Sequence, residues 1–116
     1  MAVEFEAVWR DVRDRVGTQR VISTLSQGVD DDVMSVTDQA IVVRSHRTSR
    51  ERTIPRRDFE RAWTVVLERG EFCPSKHKGL AGLVGRSSII TAVLARSRYF
   101  DHDTRPIAVR LKQEYR

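Results

Sequence analysis

The chain has 116 residues, of which 40% are hydrophobic and 32% charged, and its formal net charge is +5. This length predicts one globular domain over residues 1–116 and excludes a second, catalytic domain beside it. No stretch approaches the roughly 20 apolar residues that a membrane-spanning helix needs, and no targeting signal is visible. We therefore expect a cytoplasmic protein without a membrane partner.

Cysteine and histidine are too sparse to indicate a metal site. Cys73 is the only cysteine, so no internal disulfide can form and a thiolate-rich zinc site is excluded. His46, His77 and His102 are widely spaced, whereas a metal needs several ligands that converge at about 2 Å. The three aspartates at 30–32 lack the alternating spacing of a calcium loop and are interpreted as a turn. No metal and no cofactor are expected.

The first half of the chain predicts a helix followed by a small sheet. Apolar residues at three- and four-residue spacing indicate an amphipathic helix over residues 3–16, with Trp9 on its buried stripe. β-Branched residues concentrate in residues 20–25, 33–36 and 40–43, which predicts three short antiparallel strands. Residues 52–55 are expected to return as a fourth strand before Asp58 caps a new helix.

The second half predicts two helices. Residues 58–69 repeat the helical pattern with Trp63 on the core side, and Gly70 ends the helix. An extended link over residues 71–74 and a helix over residues 86–95 are compatible with a winged-helix-like unit. Residues 106–111 alternate well enough to add an edge strand. The predicted fold class is α+β, with an N-terminal helix, a small antiparallel sheet, two C-terminal helices in a winged-helix-like arrangement and a C-terminal edge strand.

Residues 44–57, called the basic segment below, contain six arginines and one glutamate. Their charge of +5 equals that of the whole chain, because the other residues balance. Arginine binds phosphate bidentately and also reaches guanine in the major groove, and short hydroxyl side chains add phosphate contacts. We expect a hairpin arm or loop that contacts nucleic acid. A solvated loop is the alternative interpretation.

Two further places favour contact with DNA. Lys76, His77 and Lys78 form a second basic patch, although a single loop histidine is more often only exposed. At Gly85 and Arg86 a helix begins, and its free N–H groups and positive dipole end favour a phosphate; an ordinary serine cap is the alternative. The predicted DNA-binding residues are Arg44, Ser45, His46, Arg47, Thr48, Ser49, Arg50, Arg52, Arg57, Lys76, His77, Lys78, Gly85, Arg86, Ser87 and Ser88.

An aromatic pair, Tyr99 and Phe100, follows the last predicted helix between charged residues. Aromatic rings in such a polar setting can stack on a base, and they can equally close the hydrophobic core. The pair is therefore a candidate base-stacking site with a structural alternative.

Several short segments carry a resemblance in combination: Val16-Gly17 followed by Val21-Ile22-Ser23-Thr24-Leu25, Ile41-Val42-Val43-Arg44-Ser45, Ile54-Pro55 leading into the Trp63 helix with Glu68-Arg69-Gly70-Glu71, and Val84-Gly85-Arg86-Ser87-Ser88 continuing to Ala95. Together they resemble the N-terminal DNA-binding (head) domain of actinobacterial McrA-type, modification-dependent HNH restriction endonucleases, which also occurs as a free-standing protein. The resemblance implies a reader of 5-methylcytosine, with the nuclease chemistry in a separate partner. The chain departs from the family in two ways: no aromatic residue separates Gly85 from Arg86, and the tail over residues 99–116 is longer.

These observations predict a non-catalytic, nucleoid-associated protein that binds cytosine-methylated double-stranded DNA. A reader must contact the methyl group in the major groove or enclose a flipped base, because one methyl contributes only about 1 kcal/mol of burial. A sequence-specific transcriptional repressor is one alternative. A metal-dependent nuclease that uses Asp and His side chains is an alternative of a different class.

Overall fold

The computed structural model describes residues 3–25, 28–83 and 86–116, and its fold class is α+β as predicted. A helix, α1 (Phe5–Thr18), precedes a four-stranded antiparallel sheet whose strands neighbour each other in sequence order. The strands are β1 (Val21–Ser23), β2 (Asp30–Val36), β3 (Ala40–Ser45) and β4 (Glu51–Pro55). After the sheet come α2 (Arg56–Arg69), α3 (Pro74–Ala81), α4 (Ser87–Leu94), β5 (Phe100–Thr104), β6 (Ile107–Leu111) and a 3-10 turn (Gln113–Tyr115).

The N-terminal helix packs one stripe of side chains into the core. Val8, Trp9, Val12 and Val16 of α1 are all buried, at the spacing that the sequence predicted. The indole N–H of Trp9 donates a hydrogen bond of 3.0 Å to the carbonyl oxygen of Asp38 in the β2–β3 turn. Both tryptophans predicted for the core, Trp9 and Trp63, are buried.

The sheet has one face on the core and one face toward solvent. Ile22, Ile41, Val43 and Ile54 are fully buried on the inner face. Side chains alternate along a strand, so the intervening residues, such as Arg44, point outward and are exposed. The expected fourth strand is confirmed by the pairing of β4 with β3.

The three consecutive aspartates belong to a strand, and their interpretation as a turn is wrong. Asp30, Asp31 and Asp32 begin β2 and pair with β1 on one side and β3 on the other. Aspartate is a poor strand residue, but pairing with two neighbouring strands outweighs that local preference. As a result, the acidic run lies beside the basic segment, with Asp31 opposite Ser45 and Asp32 opposite Arg44.

The second long helix begins two residues earlier than predicted. It starts at Arg56 directly after Pro55, and no side chain caps it. The cap predicted at Asp58 is therefore wrong: this residue lies in the first turn and is only 1% exposed. Gly70 ends the helix with φ of 85°, a left-handed conformation in which glycine has no steric penalty.

A third helix, α3, occupies part of the segment expected to be a link and loop. Pro74 stands at its first position, where a missing N–H costs nothing. The N–H of Cys73 donates to Nδ1 of His77 at 3.0 Å, and the N–H of His77 donates to the carbonyl of Cys73 at 2.8 Å. These reciprocal bonds close the first turn much as a capping box does. The helix has no apolar period, so the sequence pattern did not indicate it.

The C-terminal part of the chain forms its own hairpin. Strands β5 and β6 pair with each other in a separate two-stranded sheet, so residues 107–111 do not extend the main sheet. Phe72 links this hairpin to the helices through a bridge with Val109. Three helices, instead of the expected two, lie between the main sheet and this hairpin, and the winged-helix-like arrangement stays a prediction. No helix in the described ranges is long and apolar enough to cross a membrane.

Candidate nucleic-acid interface

The basic segment folds as the end of the β3–β4 hairpin plus the first two residues of α2. The N–H of Ser45 donates to the carbonyl of Arg50 at 3.0 Å, and the N–H of Ser49 donates to the carbonyl of Ser45 at 2.8 Å. The Oγ of Ser45 accepts from the N–H of Arg47, and Oγ1 of Thr48 accepts from the N–H of Arg50. The expected arm is therefore a tight turn whose hydroxyls are already hydrogen-bonded to its own backbone.

Acidic neighbours neutralise part of the basic segment. Arg44 pairs with Glu51 at 2.8 Å across the hairpin, and Nε2 of His46 lies 2.7 Å from Oδ1 of Asp32. That hydrogen bond is the main reason why the pKa of His46 is raised above its ordinary 6.5. Including the aspartates of β2 reduces the local charge from +5 to +2. The charge of +5 counted from the sequence therefore overstates the net charge of this region of the structure.

Asp31 lies beneath the hairpin turn on the inner face of the sheet. Its side chain is 2% exposed, and one of its carboxylate oxygens has no hydrogen-bond partner among the described residues. Burial raises the pKa of Asp31, and the nearby positive charges of Arg52 and His46 oppose that shift. Arg52 is therefore partly engaged in balancing a buried carboxylate.

Arg56, the fifth arginine of the basic segment, has a structural role because it contacts both α1 and α2. Its guanidinium is paired with Glu6, lies 3.1 Å from Glu60 and stands 5.4 Å above the centre of the Phe5 ring. The side chain is only 18% exposed. Arg56 therefore joins α1 to the start of α2, and little of its charge is presented to solvent.

Every arginine of the basic segment except Arg56 is exposed. Arg47 and Arg50 are exposed in the hairpin turn, and Arg57 is exposed in the first turn of α2. Within the described ranges, Arg50 and Arg57 form no ion pair. A concavity of about 510 Å³ opens beside the turn and is lined by Ser45, Thr48, Arg50, Glu51 and Arg52.

A second group of charges surrounds Asp58 at the other end of β4. Nε of Arg86 lies 2.9 Å from Oδ2 of Asp58, although the angle between them is poor for a hydrogen bond. Nη1 of Arg61 lies 4.0 Å from Oδ1 of Asp58, and Nη2 of Arg86 donates to the carbonyl of Gly82 at 3.3 Å. We call Asp58, Arg61, Gly82 and Arg86 the Asp58 cluster. Sequence reasoning missed Arg61, whose only signal is its place one helical turn after Arg57.

The other predicted residues near α3 and α4 separate into exposed and structural positions. Lys76 is exposed, whereas His77 uses Nδ1 to close α3. Ser88 is exposed, but Ser87 is 7% exposed and is packed inside, so its hydroxyl is not presented to a phosphate. The side chain of Lys78 and the whole of Gly85 lie outside the described residues.

The candidate stacking pair belongs largely to the core. Phe100 is 3% exposed and packs edge-on against Trp63, with 6.1 Å between ring centres, which corrects the expectation that its ring stacks on a base. Tyr99 is half-buried, and its ring packs edge-on against Tyr115 at 4.7 Å. Phe100 therefore belongs to the hydrophobic core, and the ring of Tyr99 already packs against another aromatic ring of the protein.

A groove runs between α2 and α3, next to the Asp58 cluster. Its volume is about 540 Å³, and it is lined by Arg61, Thr64, Val65, Glu68, Arg69, Gly79, Ala81 and Gly82. Val65 and Ala81 are each 6% exposed and form an apolar floor. We call this feature the α2–α3 groove.

Within the described part of the chain, no three His, Cys, Asp or Glu side chains are grouped so that they can hold a metal ion. The chain was also compared with known proteins. No protein-family model, no curated protein and no solved structure matches it.

Proposed function

We propose that the protein binds duplex DNA without cleaving it and recognises 5-methylcytosine. The observation that carries the binding proposal is the β3–β4 turn, where exposed Arg47 and Arg50 stand at the end of a hydrogen-bonded hairpin. Arginine and hydroxyl side chains and backbone N–H groups make most protein–phosphate contacts in DNA complexes. The concavity beside the turn brings Arg50 together with the hydroxyls of Ser45 and Thr48. This combination suits a phosphate group.

The second positive patch supports a duplex rather than an isolated anion as the partner. Arg57 and the Asp58 cluster lie at the end of β4 opposite the turn. Four residue steps of about 3.3 Å separate Glu51 from Pro55, so the two ends of this strand lie about 13 Å apart. The major groove of B-DNA is about 12 Å wide. Positive side chains beyond the two ends of this strand can contact the two phosphate strands that border one major groove.

Recognition of the methyl group is the finer part of the proposal, and its support is the sequence resemblance. The charged residues of both patches bind phosphates, and phosphate contacts carry no direct information about a base. Preference for 5-methylcytosine must therefore come from an apolar contact with the methyl group or from a site that encloses the base.

The test is a titration of labelled duplexes that carry one cytosine site in methylated, hemimethylated or unmodified form. If Arg47, Arg50, Arg57 and Arg86 all contact phosphates, the logarithm of the binding constant falls with the logarithm of salt at a slope of about −3.6. We expect the methylated duplex to bind most tightly at every salt concentration. Equal affinity for all three duplexes contradicts methyl recognition, and affinity without salt dependence contradicts DNA binding through these arginines. Selection of one unmethylated consensus sequence would instead favour a repressor.

A further inference from the structure

We infer that the α2–α3 groove holds a single cytosine nucleotide of the bound strand, with its phosphate at the Asp58 cluster and its base beside Glu68. This inference rests on the proposed function, since it names the place where that function would recognise a cytosine.

The Asp58 cluster provides the phosphate end. Two guanidinium groups, of Arg61 and Arg86, converge on one carboxylate, so the cluster retains one positive charge. The side chain of Asp58 is 2% exposed, while those of Arg61 and Arg86 are 50% and 40% exposed. The buried carboxylate therefore contacts both guanidiniums, while both arginine side chains stay partly exposed to solvent. Arginine groups oriented in this way are suited to a phosphate.

Gly82 keeps the phosphate end of the groove open. Its φ of +68° is left-handed, a conformation that side chains other than glycine rarely adopt. A Cβ at this position would stand 3.5 Å from Nη1 of Arg61, directly beside the guanidinium that faces the groove. Gly79 also lines the groove and has open space where a Cβ would be. The rim therefore carries no side chain at two positions where a ligand can approach the backbone.

Glu68 provides the base end. It is exposed, it lines the groove, and it forms no ion pair in the described ranges. A carboxylate accepts a hydrogen bond from the exocyclic amino group of cytosine, whereas thymine presents a carbonyl oxygen at the same place. Between the two ends, Val65 and Ala81 offer an apolar floor for a flat ring. The volume of about 540 Å³ falls within the range of small-molecule sites.

The experiment is an NMR titration of the full chain, in which backbone amide signals report where each probe binds. The probes are deoxycytidine monophosphate, its 5-methyl derivative, deoxythymidine monophosphate, deoxyadenosine monophosphate and inorganic phosphate. We expect the cytidine probes to shift the signals of Gly79, Gly82 and Glu68. Inorganic phosphate should shift only Gly82 and Arg86. The thymidine probe should bind roughly fivefold more weakly than deoxycytidine monophosphate, because it has no amino group to donate.

Two variants test the two ends separately. Glu68→Gln should remove the preference for cytidine over thymidine, because an amide can both accept from an amino group and donate to a carbonyl. Arg61→Ala should weaken both nucleotides equally. Arg105→Ala removes the same charge from the exposed β5–β6 turn and should change neither affinity.

Several results would overturn the inference. They are signal changes confined to the hairpin turn at residues 46–50, equal affinity for cytidine and thymidine probes, tighter binding of the adenosine probe, and identical shifts from nucleotide and phosphate. The last would indicate an anion site only. Duplex binding is measured separately: if it persists while the nucleotide preference is absent, the groove inference fails and the proposed function stands. If nucleotides bind the groove but duplexes do not bind, the proposed function fails instead.

Discussion

The β3–β4 hairpin carries four arginines and one glutamate between residues 40 and 55, whereas the β5–β6 hairpin carries two arginines and two aspartates between residues 100 and 111. In the second hairpin, Arg110 is hydrogen-bonded to Asp103 and lies 3.8 Å from Glu71, and its bond holds the pKa of Asp103 below the ordinary 3.8. The first hairpin leaves Arg47 and Arg50 exposed at its turn. The β3–β4 turn thus presents two exposed arginines and the β5–β6 turn presents one, Arg105, so the first turn offers the greater positive charge to an anion.

Removal of the two exposed charges of the β3–β4 turn should weaken DNA binding more than any other change. We expect Arg47→Ala with Arg50→Ala to weaken duplex binding about 100-fold, since two charge-assisted contacts contribute about 3 kcal/mol together. The salt slope should fall by about two. Fluorescence anisotropy with one duplex at several salt concentrations measures both quantities. Arg105→Ala, the matched change in the β5–β6 turn, should alter affinity less than twofold, and equal losses in both hairpins would contradict the comparison.

The second prediction concerns the support of the β5–β6 hairpin. Asp11 of α1 accepts from Oγ of Ser97 at 2.9 Å and from the N–H of Arg98 at 2.8 Å, in the connection that leads into β5. The carboxylate is 7% exposed, so Asp11→Ala leaves buried donors unsatisfied. We expect a loss of about 2 kcal/mol in the free energy of unfolding, measured by urea denaturation. Affinity for duplex DNA, measured under folding conditions, should not change.

The same residue predicts how stability depends on acid. Burial raises the pKa of Asp11, but the hydrogen bonds from Arg98, Ser97 and Arg15 outweigh it, so the net pKa is below the ordinary 3.8. Its contribution is therefore fully present above that ordinary value and is lost as the pH falls through the lowered one. The difference in unfolding free energy between the native protein and Asp11→Ala should shrink in strong acid. A difference that is constant with pH would show that ionisation of Asp11 is irrelevant.

Much of the fold could be predicted from the sequence because it follows local patterns. The stripes of α1 and α2, the β-branched strands and Gly70 each specify their own element. The candidate interface was harder to predict, because its charges are set by contacts between distant segments. Asp32 pairs with a histidine 14 positions away, and Arg56 pairs with Glu6 across 50 positions. Such pairs leave no periodic signal, so a count of charges overstated the open charge of the basic segment.

A smaller effect is expected from removing the negative charge of Asp31, which lies beneath the β3–β4 turn. Burial raises the pKa of Asp31 above the ordinary 3.8. The contribution of protonated Asp31 to stability is therefore fully present below that ordinary value and is lost as the pH rises through the raised pKa. At neutral pH, Asp31→Asn keeps the shape and removes a buried charge. We expect the variant to gain about 1 kcal/mol in stability and to bind duplex DNA more tightly. Thermal unfolding at pH 7 measures the gain, and a lower melting temperature would show that Asp31 is needed to balance Arg52.

The smallest effect concerns His46, the only titratable group of the β3–β4 turn whose charge changes near neutral pH. Its pKa is raised above 6.5 mainly by the hydrogen bond with Asp32, with further support from Asp30 and Asp31. The pair therefore contributes stability that is fully present below pH 6.5 and is lost as the pH rises through the raised value. The same protonation adds a positive charge at the turn, so duplex affinity should decrease a few-fold between pH 6 and pH 9. His46→Ala should flatten this profile, while His102→Ala in the β5–β6 hairpin should leave it unchanged. His102 is a suitable control because it lies between two aspartates on a strand without excess positive charge. If only His102→Ala flattened the profile, the prediction for His46 would be wrong.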